Sequence, residues 1–314
     1  MLSNTRGYFL QPVPGIAEMA EKHLTADLLM VSVTVLAAAG WVFSKQALQG
    51  LPPALFLGVR FVLAGMLLAV IGLHQLRRLD TGELLRAGLT GVVMGVALLC
   101  WIQGLSQASN MGVAAFITSL GVILVPVVGR VLFGISVSMS TWNAVLVAGV
   151  GIGCLALEQG LRLAPSDLYF VATAFGLAVH FNLNTRYAIL IPVLALTAVQ
   201  LSVVGGLALL ISIAVEPWPT DVSAEVMGWL LASIVIATSL RFFLQVKAQS
   251  LAPLAHAAII MTLEPVWTAL IAAAWLGERM SGTQLAGCSL IFLALLINRW
   301  RWILRRPKIA TRER

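Results

Sequence analysis

The chain has 314 residues, of which 60% are hydrophobic and only 11% are charged, and its formal net charge is +7. A soluble domain carries roughly 25% charged residues, so this chain has too little polar surface to cover a core that faces water. The composition therefore excludes an ordinary soluble domain and indicates a helical protein that crosses a lipid bilayer several times.

Apolar runs of about 20 residues, the length that crosses a bilayer as a helix, recur along the whole chain. Residues 1–25 lack the layout of a cleaved signal peptide, so we expect them to form a cytoplasmic N-terminal segment. We predict an all-α polytopic membrane protein with ten transmembrane helices, at residues 26–44, 53–73, 84–104, 111–131, 141–157, 168–186, 192–215, 226–246, 254–276 and 283–304.

Most of the 20 lysines and arginines fall on one side of the predicted spans. The positive-inside rule then places both termini in the cytoplasm, together with the basic tail at residues 305–314. Such a tail binds anionic headgroups, so the expected partners are membrane lipids and no nucleic acid. The three cysteines lie in predicted spans without close spacing, which favours packing roles over a disulfide or a metal site.

The chain contains an internal repeat with an offset of about 140 residues, since the segment that begins at Asp27 aligns with the one that begins at Asp167. The same alignment pairs Arg60 with Gln200. Further along, the segment AAFITSLG aligns with AAIIMTLE, and the later glycines also match. The aligned polar and glycine positions carry this inference, because apolar sequences match easily by chance.

The two copies are assigned to residues 26–157 and 168–304, and each holds five predicted spans. Because five is an odd number, the second copy enters the membrane upside down relative to the first. Inverted repeats of this kind recur in secondary transporters, where they enclose one central binding site.

Glu264 lies near the middle of the ninth span, where Pro265 follows it. Proline leaves the carbonyl of Met261 without its helical partner, so we predict a kink. Irregular backbone at this depth is packed in protein or faces water. Two interpretations are open: Glu264 is a substrate contact or proton site on a cavity wall, or it braces the kink against a neighbouring helix. The first copy has Gly121 at the equivalent position.

Other polar side chains inside the spans each need a partner or a cavity. Arg60 either binds a substrate carboxylate or braces the bundle, and Arg241 lies near a helix end, where its side chain can reach the interface. Gln103 and Gln245 align between the copies and either contact a solute or tie helices together. The candidate substrate-binding residues are Trp41, Arg60, Trp101, Gln103, His180, Asn182, Gln245 and Glu264.

Sequence motifs of zinc hydrolases, serine hydrolases, phosphate-binding loops and dithiol redox sites are absent. We therefore expect no enzymatic activity, no cofactor and no metal.

The segment LEPVWTALIAAAWLGERMSGTQLAGCSLIFLALLI (263–297) resembles the signature of the EamA family in the drug/metabolite transporter superfamily. The first copy is similar too, with Trp41 and Lys45 closing the first span. The resemblance implies two inverted five-helix repeats, cytoplasmic termini and a central solute cavity. Family members mostly export amino acids or related small metabolites. The chain departs from the pattern at Ile135, where the second copy has Glu278.

Together these features predict an inner-membrane exporter of a small organic metabolite that works by alternating access. Glu264 is the single ionisable residue assigned to the middle of the bilayer, so proton coupling through it is one expectation and uncoupled facilitation is the alternative. A channel and an intramembrane enzyme are the competing functions. No oligomeric state is predicted.

Overall fold

The computed structural model describes residues 16–134, 136–157, 164–251 and 260–304, and all regular elements among them are helical. Their side chains are described for residues 25–297 of these ranges. Ile135, the tail at residues 305–314 and most of the predicted N-terminal segment lie outside the described residues.

Each of the ten predicted spans overlaps one helix. The helices of the first copy are α1 (Ile16–Ala47), α2 (Pro53–Ile71), α3 (Thr81–Gln107), α4 (Met111–Phe133) and α5 (Met139–Leu157). Those of the second copy are α6 (Pro165–Tyr187), α7 (Val193–Val215), α8 (Ala224–Leu251), α9 (Glu264–Trp275) and α10 (Gly282–Leu304). The first helix begins well before the predicted span.

Six of these helices, namely α1 from Thr25 onwards, α2, α3, α4, α7 and α8, are long and apolar enough to cross a membrane. The apolar parts of the fifth, ninth and tenth helices are shorter. The sixth helix has the required length, but it carries His180, Asn182 and Asn184 in its second half. The described helices are those of a multi-pass membrane protein.

The second helices of the two copies, α2 and α7, pack against each other at glycines. Gly58 lies against Leu209 and Gly65 against Ser202, while Gly205 lies against Val62. Residue numbers rise along α2 as they fall along α7, so the two helices run antiparallel. Only glycine allows the two backbones to approach so closely, and Gly65 and Gly205 are equivalent positions of the repeat.

Other helices also contact helices of the opposite copy, and equivalent helices make equivalent contacts. The fifth and tenth helices also cross in antiparallel fashion, at Gly151 and Gly287. The first helix packs against α8 and α9, while its equivalent, α6, packs against α3 and α4. Each copy therefore inserts its first helix into the other copy, and the core belongs to both.

Carboxylates from the second copy cap two helix N-termini of the first. Glu216 accepts hydrogen bonds from the backbone N–H groups of Ala54 and Leu55, each at 2.8 Å. Glu278 accepts one from Met111 N, also at 2.8 Å. A helix N-terminus has unsatisfied N–H groups and a partial positive charge, so both contacts stabilise α2 and α4.

Backbone geometry repeats between the copies as well. Gly134 and Gly277 follow the fourth and ninth helices with φ angles of 67° and 66°. This left-handed conformation ends helices at low cost only with glycine. The equivalent helices thus end in the same way.

Candidate functional site

A cavity of about 140 Å³ lies between the two copies. Its wall combines residues of α1, α2, α3 and α4 with residues of α6, α8 and α9. Most of the wall is apolar or aromatic. Polar groups that faced the lipid instead would find no water to bond with in the bilayer core. The polar side chains of the wall are Arg60, Thr118, Ser119, His180, Arg241, Gln245 and Glu264.

Two helices are interrupted at equivalent positions where they reach this cavity. The fourth helix breaks at Ser119, between Met111–Thr118 and Leu120–Phe133. The ninth begins after a 3-10 turn at Met261–Leu263, and Pro265 lies in its first turn. The repeat pairs these two breaks. Residues of both line the cavity, namely Thr118 and Ser119 in the fourth helix and Met261 and Glu264 at the ninth.

Glu264 is paired on the cavity wall with groups from two other helices. The indole Nε1 of Trp41 donates a hydrogen bond to its Oε1 at 3.2 Å, and Arg241 Nη2 lies 3.8 Å from its Oε2. The expectation that Glu264 is the only ionisable residue at this depth is therefore wrong. Both interpretations from the sequence keep a basis, because the carboxylate lines the cavity and also links helices.

The lack of a second glutamate has a steric reason. Gly121, the equivalent of Glu264, faces the sixth helix, and a Cβ atom there would lie 2.9 Å from the carbonyl oxygen of Ala174. The close approach of α4 and α6 leaves no room for a side chain. The two copies therefore differ at this position because their packing differs.

Arg60 is buried at the cavity, with 4% of its surface exposed. Its Nη1 donates to Ser44 Oγ at 2.7 Å and its Nη2 to the carbonyl of Ala237 at 3.3 Å, while its Nε donates to Thr238 Oγ1. The guanidinium also lies over the rings of Phe56 and Phe61. All three acceptors are neutral.

Two of the three hydrogen-bond partners of Arg60, Ala237 and Thr238, come from an irregular segment that the sequence did not reveal. Residues Val235–Leu240 form a π-helical segment within α8. The hydroxyl groups of Thr238 and Ser239 each donate to the carbonyl five residues earlier, at 2.8 Å. π-helical segments often occur at functional sites, because the extra residue reorients the side chains around it.

The side chain of Arg241, immediately after this segment, lies on the cavity wall rather than at the membrane interface. This position corrects the expectation that it reaches outward to headgroups. Its guanidinium carbon lies 4.3 Å from the ring centre of Phe242, and its buried Nε has no hydrogen-bond partner among the described residues. The sequence showed Arg241 inside an apolar run but gave no sign of its pairing with Glu264.

The other predicted site residues divide into two groups. Trp41, Trp101, His180 and Gln245 line the cavity, and the two indole rings meet edge to face with centres 5.1 Å apart. The buried atoms His180 Nε2 and Gln245 Oε1 have no hydrogen-bond partner among the described residues. Buried polar atoms are rarely left in this state, so these two point to a ligand or water.

Asn182 and Gln103 do not line the cavity. Asn182 Nδ2 donates to the carbonyl groups of Val125 and Ala178, each at 2.9 Å, and so ties the sixth helix to the fourth. Gln103 is half-buried. Of the aligned pair of glutamines, the structure brings only Gln245 to the site.

A second polar link repeats between the copies. Gln200 Nε2 donates to Asn184 Oδ1 at 2.8 Å, and these residues are the equivalents of Arg60 and Ser44. Asn184 in turn donates to Gln249. Both copies therefore link their first two helices by a side-chain hydrogen bond at equivalent positions. In the first copy the donor is the charged Arg60, and in the second it is the neutral Gln200.

Comparisons with known proteins agree with this architecture. Residues 24–157 and 164–300 each match the EamA-like transporter family. The chain belongs to this family. EamA proteins form part of the drug/metabolite transporter superfamily.

An uncharacterized transporter of Archaeoglobus fulgidus is 26% identical to this EamA protein over 276 residues, which cover 88% of this chain and 86% of the relative. A solved crystal structure covers 88% of this chain and 98% of its own, with a TM-score of 0.64 and 18% sequence identity. This second likeness concerns the fold alone.

Proposed function

We propose that this EamA protein is a secondary transporter that carries a small organic metabolite, such as an amino acid or a related compound, across the inner membrane by alternating access, in the direction of export. The membership in a transporter family supports transport. The observation that carries the mechanism is the cavity between the copies, where two equivalent helices are interrupted.

Interrupted helices at matching positions in two halves are typical of transporter binding sites at the middle of the membrane. The polar side chains beside these interruptions, Thr118, Ser119 and Glu264, line the cavity. In this proposal all ten helices cross the bilayer, and the second copy is inverted. The antiparallel packing of α2 on α7 supports the inversion, because these helices are equivalent positions of the repeat.

Alternating access also requires a closure on one side of the cavity at a time. At one end, Lys45 Nζ donates to the carbonyl of Ala108 at 2.6 Å, and Glu278 bonds to Met111 N across the copies. With cytoplasmic termini, this closure lies on the outer side. It holds the turn between the third and fourth helices.

The sequence of the opposite end lacks the two charged residues that form this closure. The repeat places Thr185 where the first copy has Lys45, and Ile135 where the second copy has Glu278. Because neither residue is charged, the outward-closed arrangement is the better stabilised of the two. This asymmetry biases the empty carrier, whereas transport requires substrate binding that favours the occluded state over both open states.

A continuous channel is the second candidate, and an intramembrane enzyme is the third. The closure around Lys45 and Glu278 favours the carrier over a permanently open pore. Proton coupling was argued from an isolated carboxyl group at Glu264. Because Glu264 is paired with Arg241, that argument no longer applies. Uncoupled facilitation is therefore retained beside proton coupling.

The decisive experiment compares metabolites outside cells with and without the protein and then tests the accumulated compounds in proteoliposomes. A carrier gives saturable flux that is accelerated by unlabelled substrate on the opposite side. Flux that does not saturate would indicate a channel, and a covalently changed product would indicate an enzyme.

A further inference from the structure

The ionisable side chains on the described cavity wall do not balance. Arg60 and Arg241 each carry a positive charge and Glu264 carries a negative charge, with His180 counted as neutral. The wall therefore has an excess of one positive charge. A buried charge without a counter-ion is strongly disfavoured, so the protein alone leaves this site electrostatically incomplete.

Hydrogen bonding does not remove this imbalance. The guanidinium of Arg60 uses three of its five N–H donors on neutral acceptors, which satisfy the donors but leave the charge. The single acid, Glu264, already faces Arg241 at 3.8 Å. One further negative charge is needed at the cavity, and a bound solute is its natural source.

The unpartnered atoms specify what else this solute carries. Arg241 Nε is a donor and Gln245 Oε1 is an acceptor, and both are buried without partners on the cavity wall. The two residues are four apart on the eighth helix, so their side chains lie on the same face. A carboxylate next to a hydroxyl group would satisfy both, and His180 Nε2 offers a third polar contact.

The rest of the wall indicates the size and the apolar character of the solute. The rings of Trp41, Trp101, Phe61 and Phe242 contribute apolar faces. The cavity of 140 Å³ has the volume of about five waters, which corresponds to a small organic molecule rather than a peptide.

We infer that the cavity selects an organic acid that is a net monoanion, with a hydrogen-bond donor beside its carboxylate and an apolar or aromatic body, over neutral and zwitterionic analogues. This inference rests on the proposed transport function and narrows its substrate class from amino acids and related compounds to the related organic acids. A zwitterionic amino acid would bring an ammonium group into a site that is already positive.

Three matched sets of solutes test this selectivity in proteoliposomes. Each set contains a 2-hydroxy acid, its amide and the amino acid of the same skeleton, built on lactate, 2-hydroxyisocaproate and 3-phenyllactate. At about pH 7.5 the acids are fully ionised. Protein-dependent flux of the best-fitting acid should exceed that of its amide and amino acid by about tenfold.

Equal or faster flux of the amide or the amino acid would overturn the inference but leave the carrier function intact. If only solutes outside the three sets are transported, a neutral or zwitterionic solute overturns it, and a monoanionic one supports it. Absence of flux for all solutes, including those from the metabolite comparison, counts against transport itself.

Variants of the paired charges separate charge from shape. Arg241→Gln makes the wall neutral, so the preference for acid over amide should fall about tenfold. The double variant Arg241→Gln/Glu264→Gln restores the excess of one positive charge and should keep the preference. Gln103→Ala, outside the wall, is the matched control. A purely structural role of Arg241 would lower the flux of acid and amide alike and would contradict the proposal.

Discussion

Arg60 donates hydrogen bonds to a hydroxyl group on α1 and to a hydroxyl and a carbonyl group in the π-helical segment. It therefore joins three helices around a single planar group. A lysine carries the same charge but has one nitrogen and cannot reproduce the planar fork. The residue is both a brace and part of the cavity, so the two interpretations from the sequence are not exclusive.

We expect Arg60→Lys to lower the stability of the detergent-solubilised protein by about 2 kcal/mol, because hydrogen bonds to charged groups contribute roughly 1.5–3 kcal/mol each. Thermal unfolding is the measurement. Arg130→Lys, at an exposed position near the end of the fourth helix, is the control and should be almost neutral. Equal unfolding temperatures for both variants would mean that the three bonds contribute little.

At the scale of helices, the contact of α2 with α7 depends on glycines at the crossing, and two neighbouring glycines differ sharply. A Cβ atom at Gly205 would overlap the backbone nitrogen of Val62, whereas at Gly206 nothing lies within 4 Å. The first position faces the partner helix and the second faces away. The same substitution, glycine to alanine, at these two positions therefore tests whether the close packing matters.

We expect Gly205→Ala to destabilise the protein by about 1–3 kcal/mol through overpacking. Gly206→Ala should leave the stability unchanged or raise it slightly, since alanine favours helices. Unfolding in detergent, followed by circular dichroism, measures both. A neutral Gly205→Ala variant would contradict the close packing of the two equivalent helices.

The closure around the turn between α3 and α4 also acts at this scale. In a protein whose three cysteines are replaced, Ala115→Cys places one thiol on the cavity wall. Adding Lys45→Met removes a charged hydrogen bond, so labelling from outside by a membrane-impermeant thiol reagent should become about tenfold faster. Lys247→Met, at an exposed position on the eighth helix, is the control. An unchanged rate with Lys45→Met would exclude a closing role for this lysine.

At the scale of the whole molecule, the two copies enclose one cavity because each inserts its first helix into the other. The arrangement has a direct consequence for the loops. Gln49 and Ile189 occupy equivalent exposed positions after α1 and α6. An inverted repeat puts these two positions on opposite sides of the membrane.

We expect Gln49→Cys to react with a membrane-impermeant thiol reagent in intact cells, and Ile189→Cys to react only after the membrane is opened. Gel-shift labelling of the two variants in the cysteine-free protein measures this. Reaction of both thiols from the same side would contradict the inverted arrangement and, with it, alternating access around one cavity.

The helices and the family could be predicted because both depend on local features. Each apolar run led to one of the ten main helices that the structure describes, although the short helix Leu73–Leu76 was not predicted. The motif from Glu264 to the tenth helix identified the EamA family. The site was predicted only in part. Trp41, Glu264 and His180 were found as polar or aromatic groups in apolar runs, but Arg241 was assigned to the interface and the π-helical segment was missed.

The amino-acid sequence by itself determined that the chain belongs in a lipid bilayer, where its helices lie and that it contains a repeat. The free energy of transfer into lipid depends on composition and length, which are read directly from the sequence. The tertiary structure alone decided which polar groups meet. The pairing of Glu264 with Arg241 and Trp41, and the exclusion of Gln103, depend on how helices distant in sequence rotate and approach one another. Such contacts follow from packing across the whole bundle, which no local pattern encodes.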